Sequence, residues 1–205
     1  MRPLQFDGFY QDAVGRESIT WRIGSSWTES YEITTRIRGA DVIGMDFDSL
    51  ALVTSSESFS ISSWGDLTDC TLGGWLPVTV TDADAAHLDF QVDLTDHHEP
   101  IAARLVADDT SYAHAGDGHF ELALGPLAES LLPRRWECCL TCGLSDYSPG
   151  GQGLSGIRCH RDARAQYLAV RGKSDYWTVP VTEVVPEFYR CESYEVRRPG
   201  TGYRG

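Results

Sequence analysis

The chain has 205 residues, 41% hydrophobic and 23% charged, a balance that suits a packed globular protein and argues against disorder. Its formal charge is −13, and no apolar run approaches the roughly 20 residues that cross a bilayer as a helix. Residues 1–135 carry 22 Asp and Glu against 8 Arg and no Lys, whereas residues 136–205 carry 8 acids against 9 bases. The larger part therefore repels phosphate backbones, and neither nucleic acid nor a membrane is an expected partner.

The opening stretch, MRPLQFDGFYQD, lacks the apolar segment of a secretory signal, so a cytoplasmic chain is expected. From there to about residue 125 apolar and polar residues alternate, the period of half-buried strands. Ile19, Trp21 and Ile23 alternate with polar neighbours, as do Tyr31, Ile33 and Ile37. Leu88, Phe90, Val92 and Leu94 set off Asp89, Gln91 and Asp93, and Phe120, Leu122 and Leu124 repeat the pattern. Asp7-Gly8, Gly73-Gly74, Asp82 to Asp84 and Gly116-Asp117-Gly118 read as turns between strands. The expectation is an antiparallel β-sandwich or open barrel over residues 1–135. A short helix from Pro126 to Leu132, begun by one proline and ended by Pro133, closes it.

Residues 136–205 are expected to form a small β-rich module packed on the first part, with strands at Gln166–Val170, Trp177–Val185 and Phe188–Arg190. Its aliphatic content is low, and a metal cross-link is the usual remedy for so thin a core. Five of the six cysteines lie here. Cys139-x2-Cys142 lets two thiolates converge on one tetrahedral ion, and Cys159 follows at the spacing of a second arm. A common zinc ribbon would place another cysteine at position 162, where this chain has Asp162. Cys191, returned by the intervening strands, is then the fourth ligand, with Asp162 and His160 as alternatives. Neighbours on an extended chain point to opposite faces, which weakens His160. Cysteines clustered in a cytosolic chain favour zinc over disulfides, although four thiolates do not by themselves separate zinc from iron. Four protein ligands leave no open position, so the zinc is structural. Cys70 and Cys138 read as small buried hydrophobes.

Other motifs carry less. Gly151-Gln152-Gly153-Leu154-Ser155-Gly156 spells G-x-G-x-x-G, but lacks the preceding strand and following helix that a dinucleotide needs. His97, His98, His114 and His119 stand near Asp108, Asp109 and Asp117 without the spacing of a known ligand set. No G-x-S-x-G elbow occurs. The six tryptophans, Trp21, Trp27, Trp64, Trp75, Trp136 and Trp177, belong to the core or to an aromatic-lined cleft. The arginines of the tail, Arg197, Arg198 and Arg204, read as solvated.

The run CCLTCGLSDYSPGGQGLSGIRC, then YLAVRGKSDYW, Cys191 and the ending RRPGTGYRG, resembles a family of bacterial proteins of unknown function. The resemblance lies mainly over residues 136–205, and more loosely over FDGFYQD and the stretch around Asp69-Cys70. It implicates Cys139, Cys142, Cys159 and Cys191 and gives no support to His160, where the family pattern has an aromatic. It implies no activity. The expected function is a zinc-stabilised, non-catalytic binding protein that engages another protein or a small molecule. The rival is an accessory enzyme of bacterial specialised metabolism with its pocket in the β region.

Overall fold

A computed structural model of the chain describes residues 2–25, 31–54, 56–95, 99–118, 120–149 and 156–203. Nine antiparallel strands build one continuous sheet: β1 (Leu4–Asp12), β2 (Gly15–Ser25), β3 (Tyr31–Ile37), β4 (Ala40–Gly44), β5 (Ala51–Leu52), β6 (Cys70–Pro77), β7 (Ala86–Leu94), β8 (Pro100–Ala107) and β9 (Thr110–Asp117). Their order is β5-β4-β3-β2-β1-β6-β7-β8-β9, two meanders joined where β1 pairs with β6. The chain is thus mainly β and antiparallel, as its alternation predicts. Trp21, Ile23, Ile33, Ile37, Leu88, Phe90, Val92 and Leu94 are all buried on one face.

The hairpins explain the pairing. The β1–β2 turn is held by Asp12, whose Oδ1 accepts the backbone N–H of Val14 at 2.9 Å and of Gly15 at 3.2 Å. The β3–β4 turn places Arg38 and Gly39 at φ 49° and 81°, the left-handed pair that a two-residue hairpin requires. From there Arg38 forks onto Asp12 at 2.7 and 2.5 Å, and Tyr10 donates to the same carboxylate at 2.9 Å. The guanidinium holds the Asp12 carboxyl well below the usual carboxylate range. Stability from a depressed carboxyl is fully present above its unfolded pKa of about 4 and is lost progressively as pH falls from there through the depressed native value. We expect Arg38→Ala to cost about 1–2 kcal/mol at pH 7 and clearly less near pH 2, measured by urea unfolding. An equal cost at both pH values would show that the loss is packing alone.

Several sequence expectations change. Gly8, Gly73 and Gly74 are not turn residues but lie within β1 and β6. A Cβ on Gly8 would stand 2.3 Å from Trp21 Nε1, one on Gly73 would stand 2.1 Å from the Phe9 ring, and one on Gly74 would meet Phe90 and Phe6. These glycines make room for aromatic neighbours across the sheet. Phe120, Leu122 and Leu124 are not a strand but part of α1 (Phe120–Ser130), which carries Pro126 inside it. Phe120, Ala123, Leu124 and Leu127 are buried along its inner side, a helical spacing that overlapping leucines hid as alternation.

After α1 come β10 (Ser145–Asp146), β11 (Ile157–Cys159), α2 (Arg164–Leu168), α3 (Lys173–Tyr176) and β12 (Glu183–Val185). The expected strand at Gln166–Val170 is therefore largely helix α2, and only Glu183–Val185 of the next expected strand is extended. No strand occurs at Phe188–Arg190, where Tyr189 N–H closes a turn onto the Pro186 carbonyl at 3.0 Å. β10, β11 and β12 form a small antiparallel sheet. Trp136, Tyr147, Ile157, Val185 and Phe188 pack into the same core as the large sheet. Cys142, Leu144, Tyr167, Val170, Tyr176 and Val179 form a second, small cluster.

Candidate metal centre and sheet-face groove

The cysteines arrive on three pieces of chain. Cys139 and Cys142 sit on a tight turn in which Thr141 N–H donates to Cys138 O at 3.1 Å and Cys142 N–H to Cys139 O at 3.3 Å. Cys159 ends β11, and Cys191 follows the turn at Pro186–Tyr189. Cys139 N–H donates to Tyr189 O at 2.7 Å, which draws the turn and the Cys191 segment together. Burial, then the Cys159, Cys142, Cys138 and Cys191 sulfurs, push the Cys139 thiol well above its ordinary range. All four predicted ligands are therefore electrostatic neighbours, with Cys139 in their midst. All six cysteines are free thiols, and Cys139, Cys142 and Cys159 are buried. Among the described residues, no three His, Cys, Asp or Glu side chains already stand in a closed metal-holding arrangement.

Donors for sulfur are in place. Leu144 N–H reaches Cys142 Sγ at 3.4 Å. Burial raises the Cys159 thiol, while the Arg161 backbone N–H and its guanidinium, 3.5 Å from Sγ, work against that rise. Arg161 is itself paired with Glu183. Such contacts favour thiolate, the form that binds a metal. Burial pushes the Cys70 and Cys138 thiols to about 12, as fits small buried hydrophobes.

The alternatives to Cys191 are placed elsewhere. His160 is fully buried: its Nδ1 lies 2.9 Å from Pro180 O and its Nε2 lies 3.0 Å from Tyr176 Oη, so both nitrogens are engaged. Burial lowers its pKa, and the neutral ring that donates from Nδ1 and accepts at Nε2 satisfies both contacts. Tyr167 stacks on it at 4.8 Å and 7°. Asp162 is exposed.

Sequence reasoning missed the network around this histidine. Asp146, fully buried, accepts from Tyr167 Oη at 2.8 Å and lies 3.8 Å from Arg197 Nη1. Arg197 Nη2 donates to Cys142 O at 2.7 Å and Ser145 O at 2.6 Å. Arg197 is thus not a solvated tail residue: it ties the C-terminus to the cysteine turn. Tyr147 donates to Glu187 at 3.1 Å. The SDYSP run, which supplies Asp146 and Tyr147, was the available signal. The G-x-G-x-x-G loop, apart from Gly156, lies outside the described residues, as do His97, His98, His119, Trp27 and Arg204.

A second site lies on the outer face of the large sheet. Register fixes its floor: Phe9, Gly73, Gln91, Ala102 and Ala115 form one row across five strands, and Asp7, Trp75, Asp89, Arg104 and Ala113 form the next. The small side chains of Ala102, Ala113 and Ala115 leave an open trough of about 750 Å³, lined also by Phe9, Arg16, Trp75 and Arg104. Arg16 lies 3.6 Å over the Phe9 ring, and Arg104 forks onto Asp89 Oδ2 at 3.0 and 2.5 Å. His114 lines the trough.

A third hollow, about 480 Å³, holds Asp48, Asp66, Asp69 and Glu99. Burial, then Glu99, pushes the Asp48 carboxyl up to about 7, and burial with Asp48 and Glu187 raises Asp46 well above the carboxylate range. A raised carboxyl stabilises fully below its unfolded pKa of about 4, and that stability is lost as pH climbs through the folded value. Between pH 4.5 and 8 we expect a loss of about 2 kcal/mol, less than full linkage because Asp48 keeps some contact with water. Asp48→Asn should flatten that slope in urea titrations, and an unchanged slope would assign it to other groups.

Residues 4–145 match a family described as Family of unknown function (DUF6304). The matched span covers the large sheet, α1 and the Cys139–Cys142 turn, whereas Cys159 and Cys191 lie beyond it. No curated protein and no solved structure matches the chain.

Proposed function

The chain belongs to the DUF6304 family, a family of unknown function, and from its own sites we propose that it is a zinc-stabilised, non-catalytic binding protein whose ligand occupies the sheet-face groove. The groove carries this reading. It lies on the side of the sheet away from the core, its volume suits a small ligand, and its floor is cleared by residues without bulk. Residues 136–205 act in this reading as a zinc module seated on the β region. Cys139, Cys142, Cys159 and Cys191 would hold the ion after small side-chain rotations, with the Arg161 guanidinium offsetting part of the charge of four thiolates. The zinc supplies cross-linking and no reaction step. A cytoplasmic, reducing setting suits such thiols.

Native mass spectrometry against a mixed small-molecule library tests the reading. Bound mass is expected with the unaltered protein and not with the trough filled by Ala102→Trp and Ala115→Trp. Equal binding by both proteins would remove the groove from the account. The enzyme reading keeps one specific support, the Asp48 carboxyl poised near neutrality beside Glu99. Appearance of a product mass, abolished by Asp48→Asn, would establish it over the first.

A further inference from the structure

The groove also indicates the kind of ligand, on the premise that it is a binding site. Its charges balance: Asp7 and Asp89 are matched by Arg16 and Arg104, so an ionic ligand would find no net attraction. The acidic excess of the surrounding region turns away phosphates. An extended peptide finds no purchase on the floor either, since of the strands lining the groove only β9, at its rim, is an edge strand. Strands β2, β1, β6, β7 and β8 each have a partner on both sides, so their backbone groups are committed to the sheet. Recognition must come from side chains rising off a flat floor.

Those side chains are of two kinds. Trp75 is 47% exposed, its indole braced from one side by His87 at 5.4 Å. An indole fixed in this way offers a flat apolar surface to a ring that carries C–H groups on its face. Around it stand planar polar groups, namely the carboxylates of Asp7 and Asp89, the amide of Gln91 and the guanidinium of Arg104. Planar groups with paired donor or acceptor atoms match two adjacent hydroxyls at once. Arg104 and Asp89 are locked together by their forked contact, and Gln91 Nε2 donates to Asp93 Oδ1 at 3.0 Å, so these groups are already oriented.

We propose that the outer-face groove binds a neutral saccharide, with one sugar ring laid on Trp75 and its hydroxyls held by Asp7, Asp89, Gln91 and Arg104. The open trough accommodates more than one sugar unit, so short chains bind better than single sugars.

The test follows the Trp75 indole N–H by NMR on the full chain, assigned with Trp75→Phe. The probes are maltotriose, cellotriose and xylotriose, against AMP and a neutral tripeptide, each to about 10 mM, the range of weak single-site affinities. A saturable shift with at least one trisaccharide is expected, weakened about tenfold or more by Gln91→Ala, and titration calorimetry, which needs no indole signal, should show the same loss for Trp75→Ala. If AMP or the tripeptide moves the signal and no trisaccharide does, the saccharide assignment falls while the binding reading stands. If no probe moves it, both fall.

Discussion

Stripping the purified protein with a strong zinc chelator is expected to lower its unfolding temperature by at least about 10 °C and to release about one zinc ion per chain. The size follows from what the ion would cross-link. Cys139–Cys142, Cys159 and Cys191 come from three separate stretches: Cys139 and Cys191 pack with the main core, whereas Cys142 belongs to the small cluster of Leu144, Tyr167, Val170, Tyr176 and Val179, so the ion would tie that thin cluster to the rest. Structural zinc is worth about 10 kcal/mol or more in small peptides. A third of that, in a chain of this size, already gives a shift of about 10 °C. Cys139→Ser should reproduce the loss, and Cys138→Ser supplies the control. Both thiols are buried, at 3% and 0% exposure, so the burial penalty is alike, but only the first removes a ligand. Retention of zinc by Cys139→Ser, or a native unfolding temperature in the chelated protein, would remove the metal from the account of this region.

The large sheet was legible because its rule is local. With a period of two and one buried face, each apolar residue from Ile19 to Leu94 declares its side without knowledge of its neighbours. What the sequence hid were decisions made by distant residues. Gly73 looks like a turn until Phe9, sixty-four positions away, is seen lying where its side chain would be. α1 looks like a strand because Leu122 and Leu124 stand two apart, and only the packing of Phe120, Ala123 and Leu127 shows the helical side. At the candidate metal centre the cysteine spacing was readable, being covalent arithmetic. The polar bracing was not: Asp146, His160, Tyr167, Tyr176 and Arg197 meet across up to 51 positions and carry no spacing rule. The groove was hidden for a related reason, since a cleft floored by Ala102, Ala113 and Ala115 is made by small side chains on strands whose order was not known.

Phe90→Ala is the substitution in the large sheet from which the greatest loss is expected, about 4 kcal/mol by chemical denaturation. Its ring stands 6.1 Å from Phe6, 5.0 Å from Phe47, 5.3 Å from Phe120 and 6.2 Å from Phe188. Those partners come from β1, the loop after β4, α1 and the segment after β12, so one ring joins four parts of the chain. Truncation would remove edge-to-face contacts worth about 0.5–1.5 kcal/mol each beyond burial. It would also open a cavity that the stiff surrounding strands cannot close. Phe90→Leu keeps most of the volume and should cost only about 1.5 kcal/mol. Beside the contacts of Phe188 with Phe6 and Phe120, the Phe90–Phe188 stack, at 19° between planes, is one of those that join the sheet to residues 136–205. A double-mutant cycle on that pair should return a coupling of about 1 kcal/mol. With the link intact, both parts melt in a single transition. A coupling near zero, or a second transition that Phe90→Ala leaves in place, would mean that the C-terminal part folds by itself and that the shared core is only contact between two independent bodies.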